Sequence, residues 1–377
     1  MSDLIVSPAT NLDGSLYEIE DLFRPYIMHR RPKLITFEVG AHVDGVPHIG
    51  TYLVLGVSFV LAEKIQKRYR IKTRVKFSIL DNAPHDSVEV EGRVFQRAYA
   101  LALGKKEIGA LAEDYYLKHI RKLGQLLKTV DWEVQTYTEQ QKSPAYRQKF
   151  LEVLRKRRVL RYCLAPSDGV LQIRIPCPHC GFAEKKAEGI KLVDLDENRA
   201  VFSGSCFRHG AFTGEVKKDG GVFLDLNSLF RNLIKEFLYI DKEDELGVMV
   251  KGGDWTFASQ LVDRALGALG CTTLQAPMRI FTPQIVTREG GKLAKSAIRQ
   301  RSCLVRGIPD WLLDMRTIEN KFADHEERLV WVVNKLLASP RHFFRSYTVL
   351  ELKRILCTYS KEWEDLKGCG NRAGNMR

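Results

Sequence analysis

Long apolar runs are what this chain most lacks. The longest, Tyr52 to Ala62, is about half of the ~20 residues that a helical membrane span needs. No secretory leader is expected, because Met1 to Gly14 is polar and acidic, without a basic start or an apolar stretch. A disulfide framework is missing too: of eight cysteines, Cys163, Cys271, Cys303, Cys357 and Cys369 are scattered, as reduced thiols would be. There is no internal repeat, no low-complexity block and no G-x-x-x-x-G-K-[ST] spacing of a Walker A loop. These absences argue against a helical membrane protein, a disulfide-built secreted scaffold, a solenoid and a P-loop nucleotidase. The expectation is a cytoplasmic protein with no membrane partner.

At 377 residues the chain exceeds what one core usually holds, so two or three domains are expected. Its 45% hydrophobic and 28% charged residues are those of a globular protein. A net charge of +13 favours polyanionic partners such as nucleic acid, nucleotides or pyrophosphate. The densest basic run, Arg155 to Arg158 with Arg161, shares a helical pattern with Phe150, Leu151 and Leu154. It is either an RNA contact or a solvated helix face.

From Pro32 the pattern reads as strand, loop, helix, strand. Leu34 to Val39 is a buried-strand run, Gly40 to Pro47 a loop, and Gly50 to Tyr69 a helix with basic residues at its end. Thr73 to Leu80 alternates and gives way to Asp81-Asn82-Ala83-Pro84. This is the start of a parallel α/β sheet. Lys105 to Leu160 reads as mostly helical, broken near Thr136 to Pro144, and Cys163 to about Gly221 as short strands and turns. Helix and strand signals return from Val222, and the chain is helical from Pro309 to about Leu356 before a polar tail that reads as loose.

Cys177-Pro-His-Cys180 and Cys206-Phe-Arg-His209 form two x-x ligand pairs, 25 residues apart. Two such knuckles can wrap one tetrahedral zinc, and Gly181 suits the turn that aims N–H groups at thiolates. The fourth ligand stays open between His209, His179 and water. No general base lies inside this segment, so the expected zinc is structural.

Two further motifs carry chemistry. Pro47-His48-Ile49-Gly50-Thr51 sits where a strand's loop opens a helix, whose free N–H groups and dipole favour phosphate. Gly290-Gly291-Lys292-Leu293-Ala294-Lys295-Ser296 is a glycine-hinged cationic loop suited to a phosphoryl-transfer transition state. In this order and about 240 residues apart, the pair resembles the HIGH and KMSKS signatures of class I aminoacyl-tRNA synthetases. The turn Gly252-Gly253-Asp254 matches the family's turn between the signatures, and the cysteine-bearing segment its zinc insertion. The nearest subfamily is the class I lysyl-tRNA synthetases, through Pro47 to Gly50, the acidic strand end at Asp81, that insertion and Phe281-Thr282-Pro283.

The resemblance implies a Rossmann-type parallel sheet in two halves, 1–162 and 222–308, split by a zinc-ribbon-like insertion, 163–221, and followed by a small helical module, 309–377. It implies activation of an amino acid, lysine by subfamily, to an aminoacyl-adenylate with ATP and Mg²⁺. His48 would bind the phosphates and Gly50 would floor the adenine. Thr51, Gly253 and Asp254 would complete the ATP site, Asp254 at the ribose, while Lys292, Lys295 and Ser296 would clamp the departing pyrophosphate. Glu38, Asp44, Asp81 and Trp255 are the candidates for gripping the amino acid. The sequence departs from the family at Thr51, in place of a second histidine, and at Leu293-Ala294, in place of Met-Ser. Only about 80 residues follow Ser296, too few for the family's anticodon-binding region. The acceptor is then a tRNA met through its acceptor stem alone, or a small-molecule amine or hydroxyl. The competing readings are a nucleotidyltransferase of the same superfamily and a non-catalytic RNA-binding paralogue.

Overall fold

The computed structural model of the chain describes residues 18–359. The polar opening, Cys369 and most of the tail lie outside those residues. Five parallel strands form the central sheet: β1 (Leu34–His42), β2 (Lys72–Leu80), β3 (Asp131–Thr136), β4 (Glu245–Gly252) and β5 (Met278–Thr282), in spatial order 3-2-1-4-5. β1 is central and pairs along its whole length with β2, Leu34 opposite Lys72 and His42 opposite Leu80. Five consecutive residues, Ile35 to Val39, are buried, as expected of a strand covered on both faces.

β1 leads into α1 (Ile49–Tyr69), which His48 caps and which ends at Arg70 in the left-handed region. Twelve of its residues are buried, so its apolar length serves the core; it is also the one helix among the described residues long and apolar enough to cross a membrane. Helices α2 (Ser228–Leu238) and α3 (Thr256–Ala268) pack in a second apolar cluster, with the helices Pro144–Arg155 and Arg157–Leu164. Against α1 lies α4 (His325–Leu337), close enough that a Cβ on Gly56 would stand 2.9 Å from Leu329 Cγ. The C-terminal helices thus share the sheet's own core.

Two elements escape the sequence pattern. β3 lies within the stretch read as helical; it is an edge strand whose residues are exposed or half-buried, so no apolar run announces it. The hairpin Pro84–Val90 and Arg93–Ala98 turns at Glu91 and Gly92, both at positive φ (51° and 73°), as a type I′ turn requires. Its first strand is exposed or half-buried throughout, and its third strand is Phe182–Glu184 of the cysteine-bearing segment. That segment builds a separate antiparallel sheet from Lys191–Leu195, Arg199–Cys206, Gly210–Lys217 and Gly220–Gly221.

A buried polar cluster ties α4 to the sheet side. Glu326 Oε1 lies 3.0 Å from His119 Nδ1, 2.8 Å from His325 Nε2 and 3.4 Å from Lys122 Nζ. Burial pushes the Glu326 carboxyl up, but hydrogen bonds to His119 and His325 outweigh it and hold it at about 2, below the ordinary 4.5. A depressed carboxyl stabilises the fold above its unfolded value, and that contribution is lost as pH falls. Unfolding free energy is therefore expected to drop by up to about 3 kcal/mol between pH 4.5 and 2 through this group. In Glu326→Gln that slope should flatten; an unchanged acid limb in urea unfolding would contradict the assignment.

Candidate active site

The strand order reverses between β1 and β4, so the connections leaving them diverge and open a crevice beyond their carboxyl ends. A cavity of about 460 Å³ occupies it. Its walls come from β1 and the following loop, the start of α1, α2, the ends of β4 and β5, and the loop 292–296.

His48 is fixed by geometry. Its Nδ1 accepts the Gly50 N–H at 3.1 Å, which leaves the ring proton on Nε2. Glycine is required at position 50, since a Cβ there would lie 2.9 Å from His48 Cε1 and 3.1 Å from Nδ1. Burial, with lesser contributions from Lys295 and Lys292, depresses the imidazole to about 3. At neutral pH His48 is an uncharged donor at the N-terminus of a buried helix, facing the cavity.

The lysine loop is tied to β5's continuation. Leu293 N–H donates to Ile285 O at 3.0 Å, Thr287 N–H to Gly291 O at 2.7 Å, and Gly290 takes φ 83°. Leu293 is buried in the core, while Lys292 and Lys295 both line the cavity. Lys292 is ion-paired with Asp254 at the end of β4. Lys295 donates to His42 O at 2.8 Å and lies 3.5 Å from Asp44 Oδ1 and 3.4 Å from Tyr116 OH. Burial lowers its pKa.

The cavity's lining also includes Thr51, Gly253, Ser296, Glu38 and Trp255. Glu38 is buried, accepts from Tyr239 OH at 2.7 Å and is ion-paired with Lys235 at 2.5 Å. The Trp255 ring lies 5.6 Å from Lys251 Nζ. Asp81 stands apart from the other candidates. It is outside the cavity lining, and its carboxylate accepts the Thr138 N–H at 3.0 Å, at the start of the helix Tyr137–Lys142. A strand-end aspartate next to a helix N-terminus is drawn to free N–H groups.

The four metal-ligand candidates converge away from the crevice. All their ligand atoms lie within 4.8 Å of one another: Cys180 Sγ is 3.5 Å from Cys206 Sγ, and His209 Nδ1 is 3.5 Å from Cys177 Sγ and 3.6 Å from Cys206 Sγ. Gly181 has φ 75°, and the Arg208 N–H points to Cys206 Sγ at 3.4 Å. His209, and not His179, completes the group.

Sequence reading missed the charged residues that α2 and its neighbours bring to the crevice. Arg231, Lys235 and Lys251 all line it. Lys251 pairs at 2.9 Å with Glu236, which is fully buried and also paired with Arg279; Arg279 in turn holds Asp263. The available signal was the spacing Arg231 to Lys235, four apart and so on one helix face. Ring NMR titration should find His48 neutral, with its proton on Nε2, throughout pH 5 to 8, and Gly50→Ala should displace the ring and raise its pKa toward the usual 6.5. A wild-type His48 titrating near 6.5 would contradict this geometry.

No family model matches the chain. No curated protein matches it either. Among solved structures 51 chains match. One, named as an arginyl-tRNA synthetase from Campylobacter jejuni, is 11% identical with a TM-score of 0.36, over 89% of this chain and 71% of its own. A glutamate-tRNA synthetase from Elizabethkingia anophelis is 13% identical with a TM-score of 0.34, over 73% of this chain and 54% of its own. A glutamate tRNA ligase from Elizabethkingia meningosepticum, solved in complex with its amino acid, is 12% identical with a TM-score of 0.33, over 73% and 53%. The chain spans about half the length of those two glutamate proteins.

Proposed function

We propose that this chain activates an amino acid with ATP to an aminoacyl-adenylate, releasing pyrophosphate. The reading is carried by one juxtaposition: a neutral imidazole donor, a helix N-terminus and two lysines share a single crevice at the reversal point of the sheet. The substrate's carboxylate oxygen attacks the α-phosphorus, and the bond to the β-phosphate's bridging oxygen breaks. His48 Nε2–H donates to an α-phosphate oxygen where charge accumulates. Lys292 and Lys295 exchange Asp254 and Asp44 for pyrophosphate oxygens. Gly50 and Gly253 leave room for the nucleotide, Thr51 and Ser296 add hydroxyl donors, and Asp254, once freed, can take the ribose. Mg²⁺ bound with ATP would supply charge neutralisation at the phosphates.

Asp44 and Trp255 stay candidates for the substrate's ammonium end. Lysine, which the resemblance implies, would need a second free carboxylate for its side chain. Glu38 is already paired with Lys235 and Tyr239. The acceptor is a tRNA acceptor end or a small-molecule amine or hydroxyl.

The Cys177, Cys180, Cys206 and His209 cluster fits zinc. Zn–S bonds of about 2.3 Å put tetrahedral ligand atoms roughly 3.8 Å apart, close to the separations seen here. All four positions are filled by protein, so the zinc would be structural. Elemental analysis should find one zinc per chain, lost in Cys206→Ser, with faster amide exchange across 182–217; zinc-free protein of unchanged stability would overturn this role.

Amino-acid-dependent ATP–pyrophosphate exchange tests the activity. One amino acid should support exchange, and His48→Ala or Lys295→Ala should lower its kcat on the order of 10²- to 10³-fold. Absence of exchange with any amino acid, alongside salt-dependent RNA binding, would favour a non-catalytic paralogue.

A further inference from the structure

Among the described residues the crevice contains one buried cation without a carboxylate partner; Arg299, which also lines it, is exposed and donates to the Asp44 carbonyl at 3.3 Å. Four lysines line the crevice, and each has a carboxylate partner: Lys235 with Glu38 at 2.5 Å, Lys251 with Glu236 at 2.9 Å, Lys295 with Asp44 at 3.5 Å, and Lys292 with Asp254. Arg231 lines the same cavity at only 5% exposure and has no carboxylate within ion-pair distance among the described residues. Its Nη1 donates to Asn82 Oδ1 at 2.7 Å, its Nη2 lies 3.5 Å from Ser228 Oγ, and its guanidinium lies 5.6 Å from the Tyr137 ring centre. All three partners are neutral. The carboxylate behind Asn82, Asp225, is paired with Arg174 at 2.8 Å and makes no ion pair with Arg231.

A buried charge without a counter-charge is costly, and a guanidinium cannot shed its proton to escape. The position of Arg231 is nonetheless fixed. Asn82, just past the end of β2, holds it in place through Oδ1 and is itself tied to Asp225 and the Leu226 carbonyl. His42 Nδ1, in the same cavity wall, is buried and without a partner. Burial and then the Arg231 charge depress that imidazole to about 3, so it adds no positive charge. The glycines and lysines suited to the nucleotide come from the start of α1, the turn after β4 and the loop after β5, whereas Arg231 is anchored beside β2. The amino acid's α-carboxylate must reach the α-phosphate near His48, which leaves Arg231 for a group farther along the substrate.

Resting on the adenylation reading above, we propose that the amino acid activated here carries a side-chain carboxylate, and that Arg231 is the residue that selects it. An acidic side chain would supply the missing charge and make a charge-assisted, bidentate pair. A lysine side chain would bring a second cation to a guanidinium that already lacks a partner.

The test is calorimetric binding of L-aspartate, L-glutamate, L-2-aminoadipate and L-lysine to the full chain, with a non-hydrolysable ATP analogue present. One of the three acids should bind on the order of 10²-fold more tightly than lysine, and Arg231→Gln should remove that preference. Arg231→Lys, which keeps the charge, should retain part of it and guards against a folding defect in the first variant. Affinity for the ATP analogue alone should change by no more than about twofold in either variant, since a partner of the substrate's far end does not touch the nucleotide. Lysine or a neutral amino acid binding more tightly, no acid binding, or a loss confined to the ATP analogue would overturn the proposal. An acid that binds through Arg231 without supporting pyrophosphate exchange would uphold the selectivity and sink the adenylation reading instead.

Discussion

The constraint on which this molecule depends is the placing of positive charge inside a crevice that is mostly walled from water. Arg231, Lys235, Lys251, Lys292 and Lys295 all line one cavity beside two imidazoles. In a low-dielectric wall each cation must find an anion or distort its surroundings. The fold answers at two levels. Lys251 and Lys235 are paired with Glu236 and Glu38, carboxylates buried in the scaffold itself. Lys292 and Lys295 are paired with Asp254 and Asp44, which stand at the more exposed rim. The first pairs are architecture. The second can be exchanged for a ligand's oxygens at little cost, because water reaches their carboxylates.

The parallel sheet makes this arrangement possible. β1 and β4 end side by side, and the connection leaving each is short: the loop to His48 in one case, Gly253-Asp254-Trp255 in the other. Backbone N–H groups at the start of α1 therefore face the same space as the side chains at the end of β4. The histidine belongs to both systems, capping α1 with its Nδ1 and presenting Nε2 to the cavity. Because capping already uses one ring nitrogen, a change of protonation at His48 would disturb the helix start. Burial disfavours the charged ring and the nearby lysines add to that, which is why it stays neutral.

Much of this was legible in the sequence where local rules agree with the fold. The strand–helix–strand unit from Leu34 to Leu80 was readable because a run buried on both faces and a capped helix leave strong periodic signals. The Cys and His spacing likewise marked a group that does converge. β3 was hidden because an edge strand needs no apolar alternation, and the hairpin after β2 because its strands are mostly exposed or half-buried. The surroundings of Asp81 were not legible, because a strand-end aspartate looks the same whether it faces a ligand or a neighbouring helix. The charged side of α2 left only a spacing of four between Arg231 and Lys235. Whether such a pair faces solvent or a cavity is decided by distant chain, here Asn82 and Glu38.

The two departures from the motifs the chain resembles can be judged on the same physical ground. Leu293, between the two lysines, is 1% exposed and packs in the main core. Its task is to anchor the loop so that its neighbours on either side project into the crevice, and a different apolar side chain serves that purpose. Ala294 precedes the short helix Lys295–Arg299 in an extended conformation and makes no side-chain cap. Thr51 is half-buried in the cavity wall, where a hydroxyl keeps a donor although an imidazole's reach is lost. Each change alters packing or reach at a position that carries no charge, while His48, Lys292 and Lys295 all stand in the cavity lining.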